Sequence, residues 1–322
     1  MTEGETSLEA AAAAVGAGGA CSLYDDLGFA GAMASLHGEI ARWVEASDAE
    51  LHPLLRWQFG GSSKYFRPLT VFSCYRAMTT AEIGPAVVRS ALLVELIHNV
   101  SLIIDDIVDR SPERRGKPTL HAHFGELPAL MASGYIVADG FRLASGDRQA
   151  IGLIAELMKR LSVAECLQWR LRRSPLGIED WRRIAGEDTG SMFEVAACLG
   201  DRSEALRRFG GLLGLLYHGC DDVADVRGAI GLGGGGMDDL RDGILTLPAA
   251  FAIRDPEVAR RFCDPCETDL PVLAAAFWAK LPEAESYLDR VAEEAWADAR
   301  AFARDPAPLR KLIEHTRQLS TR

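Results

Sequence analysis

The stretches Asp105-Asp106-Ile107-Val108-Asp109 and Asp221-Asp222-Val223-Ala224-Asp225 repeat one pattern, two adjacent aspartates and a third at the fifth position, and each closes a strongly apolar run. On a helix the first and fifth residues project from one face about a turn apart. Asp105 with Asp109, and Asp221 with Asp225, therefore make carboxylate pairs that repel unless a cation lies between them. All-oxygen donors suit Mg²⁺, which keeps several waters and shares phosphate oxygens rather than sitting in an all-protein cage. Two such pairs facing each other across a cavity would clamp a diphosphate through bridging metals. The diphosphate would then be polarised as a leaving group, with charge stabilised as a carbon–oxygen bond breaks. One acidic motif alone describes a solvated helix end equally well; two copies, each behind an apolar helix, favour metal binding.

Helices have to carry these motifs. From Tyr24 onward apolar residues recur at three- and four-residue steps, in segments such as 30–46, 86–108, 150–172 and 206–223. Strand-type alternation is nearly absent, and the pattern breaks at Gly60-Gly61, Ser111-Pro112, Ser174-Pro175 and Asp255-Pro256. The expectation is an all-α chain with a single domain over residues 23–322. Residues 1–22, rich in Ala, Gly and Glu, are expected to be a disordered tail. Residues 228–237, which include four consecutive glycines, are expected to be a mobile loop.

Composition narrows the partners. The chain has 322 residues, 48% of them hydrophobic and 25% charged, which is enough apolar material for a large core. Its formal charge of -11 offers no broad basic face to nucleic acid or anionic lipid, so a phosphate-bearing substrate would need metals or a local basic cluster. Seven cysteines, an odd number, give no disulfide framework and fit a reducing compartment. Cys263 and Cys266 form a lone CxxC without the further pair that zinc requires. Residues 10–21 resemble the apolar region of a signal ending in Gly-Gly-Ala-Cys. Glu3, Glu5 and Glu9 precede them, however, and no Lys or Arg occurs before Arg42, against the basic start such a signal needs. No uninterrupted apolar run approaches the roughly 18 residues of a membrane span. A cytoplasmic protein is expected.

Around the first motif, Glu95-Leu-Ile-His98-Asn-Val-Ser-Leu-Ile-Ile-Asp105-Asp-Ile-Val-Asp109 and then Arg114-Arg115-Gly116-Lys117-Pro118 resemble the first signature region of trans-prenyl diphosphate synthases. Gly60-Gly61 and Lys64-Tyr65-Phe66-Arg67-Pro68 upstream are similar to that family's glycine, lysine and Arg-Pro element. Downstream, Phe209-Gly-Gly-Leu-Leu-Gly214, the second aspartate motif, Asp239-Leu-Arg-Asp-Gly243 and Thr246-Leu-Pro248 follow in family order. The likeness spans roughly residues 55–250. It implies the isoprenoid synthase (class I terpenoid synthase) bundle of ten or more helices around a deep apolar cavity, usually as a homodimer. It also implies a reaction in which an allylic prenyl diphosphate ionises with Mg²⁺ and isopentenyl diphosphate attacks the carbocation.

Carried over by resemblance, Asp105, Asp109 and Asp221 would be the principal metal ligands, with Asp106, Asp222 and Asp225 supporting them around three ions and a bound diphosphate. Arg114 would touch the allylic diphosphate. Lys64, Arg67, His98 and Arg115 would hold isopentenyl diphosphate, where a guanidinium fork matches phosphate oxygens. Taken singly, His98 reads as a satisfied core histidine, Lys64 or Arg67 as a surface charge and Arg114-Arg115 as an exposed run; their joint placement points to a site. Cys220 reads as packing.

Three lysines of the family pattern are replaced. Asp188 stands before Thr189-Gly190, Asp238 before Asp239-Leu240, and Ile244 after Gly243, while Tyr217-His218 replaces Phe-Gln ahead of the second motif. A lysine about 5 Å from a phosphate charge is worth roughly 3 kcal/mol at an effective dielectric near 20, before desolvation. Three accounts remain open. The chain elongates with metals, Arg114 and Arg241 sufficing; or it is redirected to cyclise its substrate or to prenylate another acceptor, such as an indole-type or phosphate-bearing molecule; or it is a regulatory subunit of a true synthase. Both retained motifs argue against the last, and the four intact cationic positions favour elongation over cyclisation. Val100 and Ser101, small residues about one turn below Asp105, predict room for a chain of farnesyl to geranylgeranyl length or longer.

Overall fold

Apolar residues at helical spacing wind into helices throughout the computed structural model, which describes residues 23–61, 63–228 and 238–321. In chain order these are α1 (Leu23–Asp26), α2 (Ala30–Glu45), α3 (His52–Phe59), α4 (Phe66–Met78) and α5 (Pro85–Val108). A two-strand hairpin, β1 (Glu113–Arg114) and β2 (Lys117–Pro118), follows. Then come α6 (Leu120–Phe124), α7 (Glu126–Leu143), α8 (Arg148–Leu171), α9 (Ile178–Ala185), a π-helical turn (Gly186–Gly190), α10 (Ser191–Gly200) and α11 (Arg207–Val226). The chain closes with α12 (Asp238–Asp242), α13 (Leu247–Ala252), α14 (Pro256–Cys263), α15 (Leu270–Ala279), α16 (Leu281–Phe302) and α17 (Ala307–Arg317). The tail expected over residues 1–22 and nearly all of the loop expected over 228–237 lie outside the described residues.

The four segments read from periodicity correspond to α2, α5, α8 and α11, each boundary within about three residues; three of the dipeptide breaks fall between elements, and Asp255-Pro256 is the N-cap and first residue of α14. The hairpin is the departure from pure helix. Arg115 and Gly116 both take left-handed φ, 54° and 73°, which closes a two-residue turn of the type that matches strand twist. Arg114 and Arg115 are thereby held rigidly beside the end of α5 instead of trailing in a loop.

One continuous core runs through the described residues, with Phe72, Trp181, Phe193, Phe209 and Phe262 fully buried. α5 is long and apolar enough to cross a membrane, yet 78% of its most apolar stretch is buried inside the molecule, as in a core helix. α11 lies against α10 and α16, and α10 packs in turn on α4 and α5. The glycines ahead of the second motif permit this. A Cβ on Gly210 would sit 2.5 Å from the Phe193 carbonyl oxygen, and one on Gly214 would sit 2.8 Å from the Thr189 oxygen. Only glycine lets α11 approach so closely, and the approach sets the second motif opposite the first.

Candidate active site

The first motif sits on the last turn of α5, with Asp109 as its C-cap, its N–H donating to the Asp105 carbonyl at 2.8 Å. Asp106 faces the other way and is only 3% exposed. Its Oδ1 accepts a 2.8 Å hydrogen bond from Arg114 Nε on the hairpin. Asp109 Oδ1 accepts from Arg172 Nη2 at 2.7 Å, just beyond the end of α8. The Arg172 guanidinium also lies 4.6 Å over the Trp169 ring.

The second motif occupies the last two turns of α11. Asp222 is buried, and its Oδ2 accepts from both Trp181 Nε1 and the Leu247 N–H, each at 2.7 Å. Its Oδ1 lies 3.8 Å from His218 Nε2. The middle aspartates of both motifs are thus committed to protein donors, and each steadies a neighbouring element. Asp221 differs: its Oδ1 is buried and has no hydrogen-bond partner among the described residues. Asp225 stands one turn beyond Asp221 on the same helix.

Electrostatics bring the two motifs to one space. Asp105 is pushed well above the usual carboxylate range by burial and then by the charges of Glu165 and Asp188. Glu165 rises to about 7 through burial, Asp188 and Asp109. Asp239 rises to about 7 through burial and then Asp222, and it feels Asp221 and Asp109 as well, one carboxylate from each motif. Asp221 rises to about 6 from burial and Asp222, with His218, Lys64 and Arg67 opposing. Such a set of carboxylates, held together and partly desolvated, is short of positive charge.

The replaced positions join this cluster. Asp188, in the π-helical turn, accepts from the Thr189 hydroxyl at 3.0 Å and lies 3.6 Å from His218 Nδ1. His218 therefore bridges Asp188 and Asp222. Burial opposes its protonation, but Asp222, Asp188, Asp221 and Asp239 outweigh burial and raise its pKa. The carboxylate at 188 and the imidazole at 218, each a departure from the family pattern, are partners. Ile244 is half-buried and its N–H donates to the Asp239 carbonyl; the side chain of Asp238 lies outside the described residues.

Lys64, Arg67, His98 and Arg115 line a single pocket with Glu95 and Tyr217. Arg67 Nη1 lies 3.1 Å from His98 Nε2, and its guanidinium faces the rings of Phe193 and Tyr217 at 5.3 and 5.7 Å. Burial, then the charges of Arg67 and Arg115, hold His98 well below its ordinary pKa, so the ring is neutral. Because arginine only donates, Nε2 accepts and the ring proton resides on Nδ1, which is buried without a partner among the described residues. Beside this pocket a cavity of about 300 Å³ lies between α3, α5 and the hairpin, lined by Trp57, Asn99, Arg114, Arg115 and Lys117 among others.

Among the described residues no three carboxylate, imidazole or thiol groups are already drawn together as a metal cluster. The donor set nevertheless fits a hard divalent cation. It is made of carboxylate oxygens, one of them buried and unpartnered, and the repulsion that keeps them apart is what a cation with phosphate oxygens would relieve. Glu165, Arg172, His218 and Trp181 are site residues that motif reading missed. Glu165 lies on α8 and Arg172 just past its end, and no motif in the sequence marks either of them.

Residues 49–268 match the model of the family described as polyprenyl synthetase. The chain is 31% identical over 261 residues to a nonaprenyl diphosphate synthase of Mycobacterium tuberculosis, covering 73% of this chain and 76% of that one. It is 29% identical over 243 residues to an octaprenyl diphosphate synthase of Escherichia coli, covering 71% and 74%. Among solved structures, a polyprenyl synthase from Caulobacter crescentus complexed with calcium and isoprenyl diphosphate superimposes with a TM-score of 0.81 at 25% identity, over 94% of this chain and 97% of that one. A decaprenyl diphosphate synthase from Rhodobacter capsulatus shares the fold with a TM-score of 0.80 at 23% identity, over 93% and 98%.

Proposed function

The chain belongs to the polyprenyl synthetase family and is a prenyltransferase, and from that premise we propose that it condenses an allylic prenyl diphosphate with isopentenyl diphosphate in a magnesium-dependent reaction. The observation that carries the reading is the convergence of Lys64, Arg67, His98 and Arg115 on one pocket beside the aspartate motifs. A cyclase handles one diphosphate and has no use for a second cationic pocket. Two diphosphates, one at the carboxylates and one at the cations, are what head-to-tail condensation needs.

Asp105, Asp109 and Asp221 are the residues that would hold magnesium, three ions with the bound diphosphate, and Asp225 would support them. When bound, the metal neutralises charge on the departing diphosphate. Asp106 and Asp222 act from behind: the first fixes Arg114, the second fixes α9 through Trp181 and the start of α13 through Leu247. In the cationic pocket Arg67 is oriented by two aromatic faces, and the spare Nδ1–H of His98 can donate to a phosphate oxygen without adding a charge. Ser101, half-buried one turn below Asp105, leaves the path of the growing chain open to farnesyl length or beyond. Leu127, Leu130 and Met131, exposed on one face of α7, support self-association as a homodimer.

The test separates the two subsites kinetically. Lys64→Gln and Arg115→Gln should raise KM for isopentenyl diphosphate at least tenfold and leave KM for the allylic substrate within about twofold, each lost charge contact being worth roughly 1.5–3 kcal/mol. A loss that falls equally on both substrates would contradict the assignment.

A further inference from the structure

Arg172 lies outside both aspartate motifs and outside the cationic pocket, yet it reaches the site. Its backbone follows the last turn of α8, and the next residue is pinned: Arg173 takes a left-handed φ of 60°, donates its N–H to the Gly243 carbonyl at 2.9 Å and lays its guanidinium 5.7 Å over Phe262. This anchorage ties the end of α8 to the segment that carries Asp239. Arg172 then extends to Asp109, with Nη2 2.7 Å from Oδ1, while Trp169 packs one face of the guanidinium.

The edge of the fork is half used. Nε and Nη2 form the side of a guanidinium that grips two oxygens at once, but here only Nη2 is engaged, and Nε is buried with no hydrogen-bond partner among the described residues. The surroundings show what is missing. Glu165 feels Asp188, Asp109 and Arg172 together, which places Arg172 in the same patch as the position where a lysine of the family pattern has become Asp188. Arg114, the other arginine at the first motif, is bound to Asp106 on the hairpin side.

Resting on the reading of this site as a diphosphate site, we infer that Arg172 grips the allylic diphosphate through its Nε–Nη2 edge and supplies the cation that positions 188 and 244 no longer provide. A diphosphate drawn toward Asp105 and Asp109 brings a pair of oxygens to the fork, and a bidentate acceptor satisfies both donors.

The experiment is calorimetric titration of the full chain with inorganic pyrophosphate in the presence of Mg²⁺, and separately with Mg²⁺ alone, for wild type, Arg172→Gln and Arg172→Lys, each checked by melting temperature. Arg172→Gln should bind pyrophosphate at least tenfold more weakly and bind Mg²⁺ alone no more weakly. Arg172→Lys should fall between, because a point charge replaces a fork. In turnover, KM for geranyl or farnesyl diphosphate should rise in parallel while KM for isopentenyl diphosphate stays within twofold. Unchanged or tighter pyrophosphate binding by Arg172→Gln would overturn the inference, since a residue that merely shields Asp109 predicts tighter binding when removed. If Arg172→Gln does not fold, pyrophosphate binding by Arg172→Lys equal to wild type would overturn it. Absence of any elongated product from wild type would sink the proposed reaction and leave the pyrophosphate titration to decide Arg172 by itself.

Discussion

Asp221 and Asp222 are chain neighbours whose carboxylates bear on stability in different ways. Asp221 has a folded pKa of about 6 against an ordinary 3.8, raised first by burial. Two pKa units correspond to about 3 kcal/mol, and allowance for partial solvent contact and for shared coupling leaves roughly 1–2 kcal/mol. The sign follows from the raised value: at pH below about 4 both states are protonated and nothing is lost, whereas stability falls as pH rises through 6 and the folded carboxylate is forced to ionise. Asp221→Asn should therefore stabilise the metal-free protein by about 1–2 kcal/mol at pH 8, a gain that fades below pH 6 and vanishes near pH 4.

Asp222 is different because its Oδ2 satisfies two buried donors, Trp181 Nε1 and the Leu247 N–H. Asparagine keeps an oxygen in that place; alanine leaves both donors orphaned at roughly 1–3 kcal/mol each. Asp222→Ala should be about 2–5 kcal/mol less stable than Asp222→Asn, a comparison in which the loss of the buried charge cancels. Urea unfolding with a chelator present, at pH 8 and pH 5, measures both. The reasoning is refuted if Asp221→Asn destabilises as Asp222→Ala does, or if alanine and asparagine at 222 are equally stable.

Three further outcomes follow from the geometry. Gly210→Ala should lower stability by about 1–3 kcal/mol in urea melts, because its methyl meets the Phe193 oxygen at 2.5 Å and Ala197 at 2.8 Å; wild-type stability would mean α11 can move away freely. Glu165, raised from 4.5 to about 7, lowers metal-free stability as pH climbs through that window, so melting temperatures of Glu165→Gln should fall less steeply than wild type between those values, and parallel curves would contradict it. Ser101→Phe should shorten the product, read as the chain-length distribution by mass spectrometry, and an unchanged distribution would remove α5 from the wall that measures the chain.

The fold was legible because its signal is local. Apolar periodicity, Ser111-Pro112 and Ser174-Pro175 as breaks, and the glycine run on α11 all act within a few residues of themselves. The three cations and the neutral histidine of the second pocket were legible only jointly, since nothing in Lys64 or Arg67 alone distinguishes a ligand from a surface charge. What stayed hidden depends on long-range contact. The tie between Arg172 and Asp109 spans 63 residues and that between Trp181 and Asp222 spans 41, and no spacing rule anticipates either. The departures Asp188 and His218 looked like separate losses in the sequence; in the fold they stand 3.6 Å apart and their charges offset one another. Asp106 and Asp222 read as equivalent to their neighbours, and only the fold shows them turned onto protein donors, Arg114 for the first and Trp181 with the Leu247 N–H for the second.

The most direct test of the central claim is mass spectrometry of products after purified protein is incubated with Mg²⁺ and dimethylallyl, geranyl, farnesyl or geranylgeranyl diphosphate, each with and without isopentenyl diphosphate. The account predicts elongated diphosphates only where isopentenyl diphosphate is present. Hydrocarbons or alcohols formed equally in its absence, with no elongation in its presence, would contradict it.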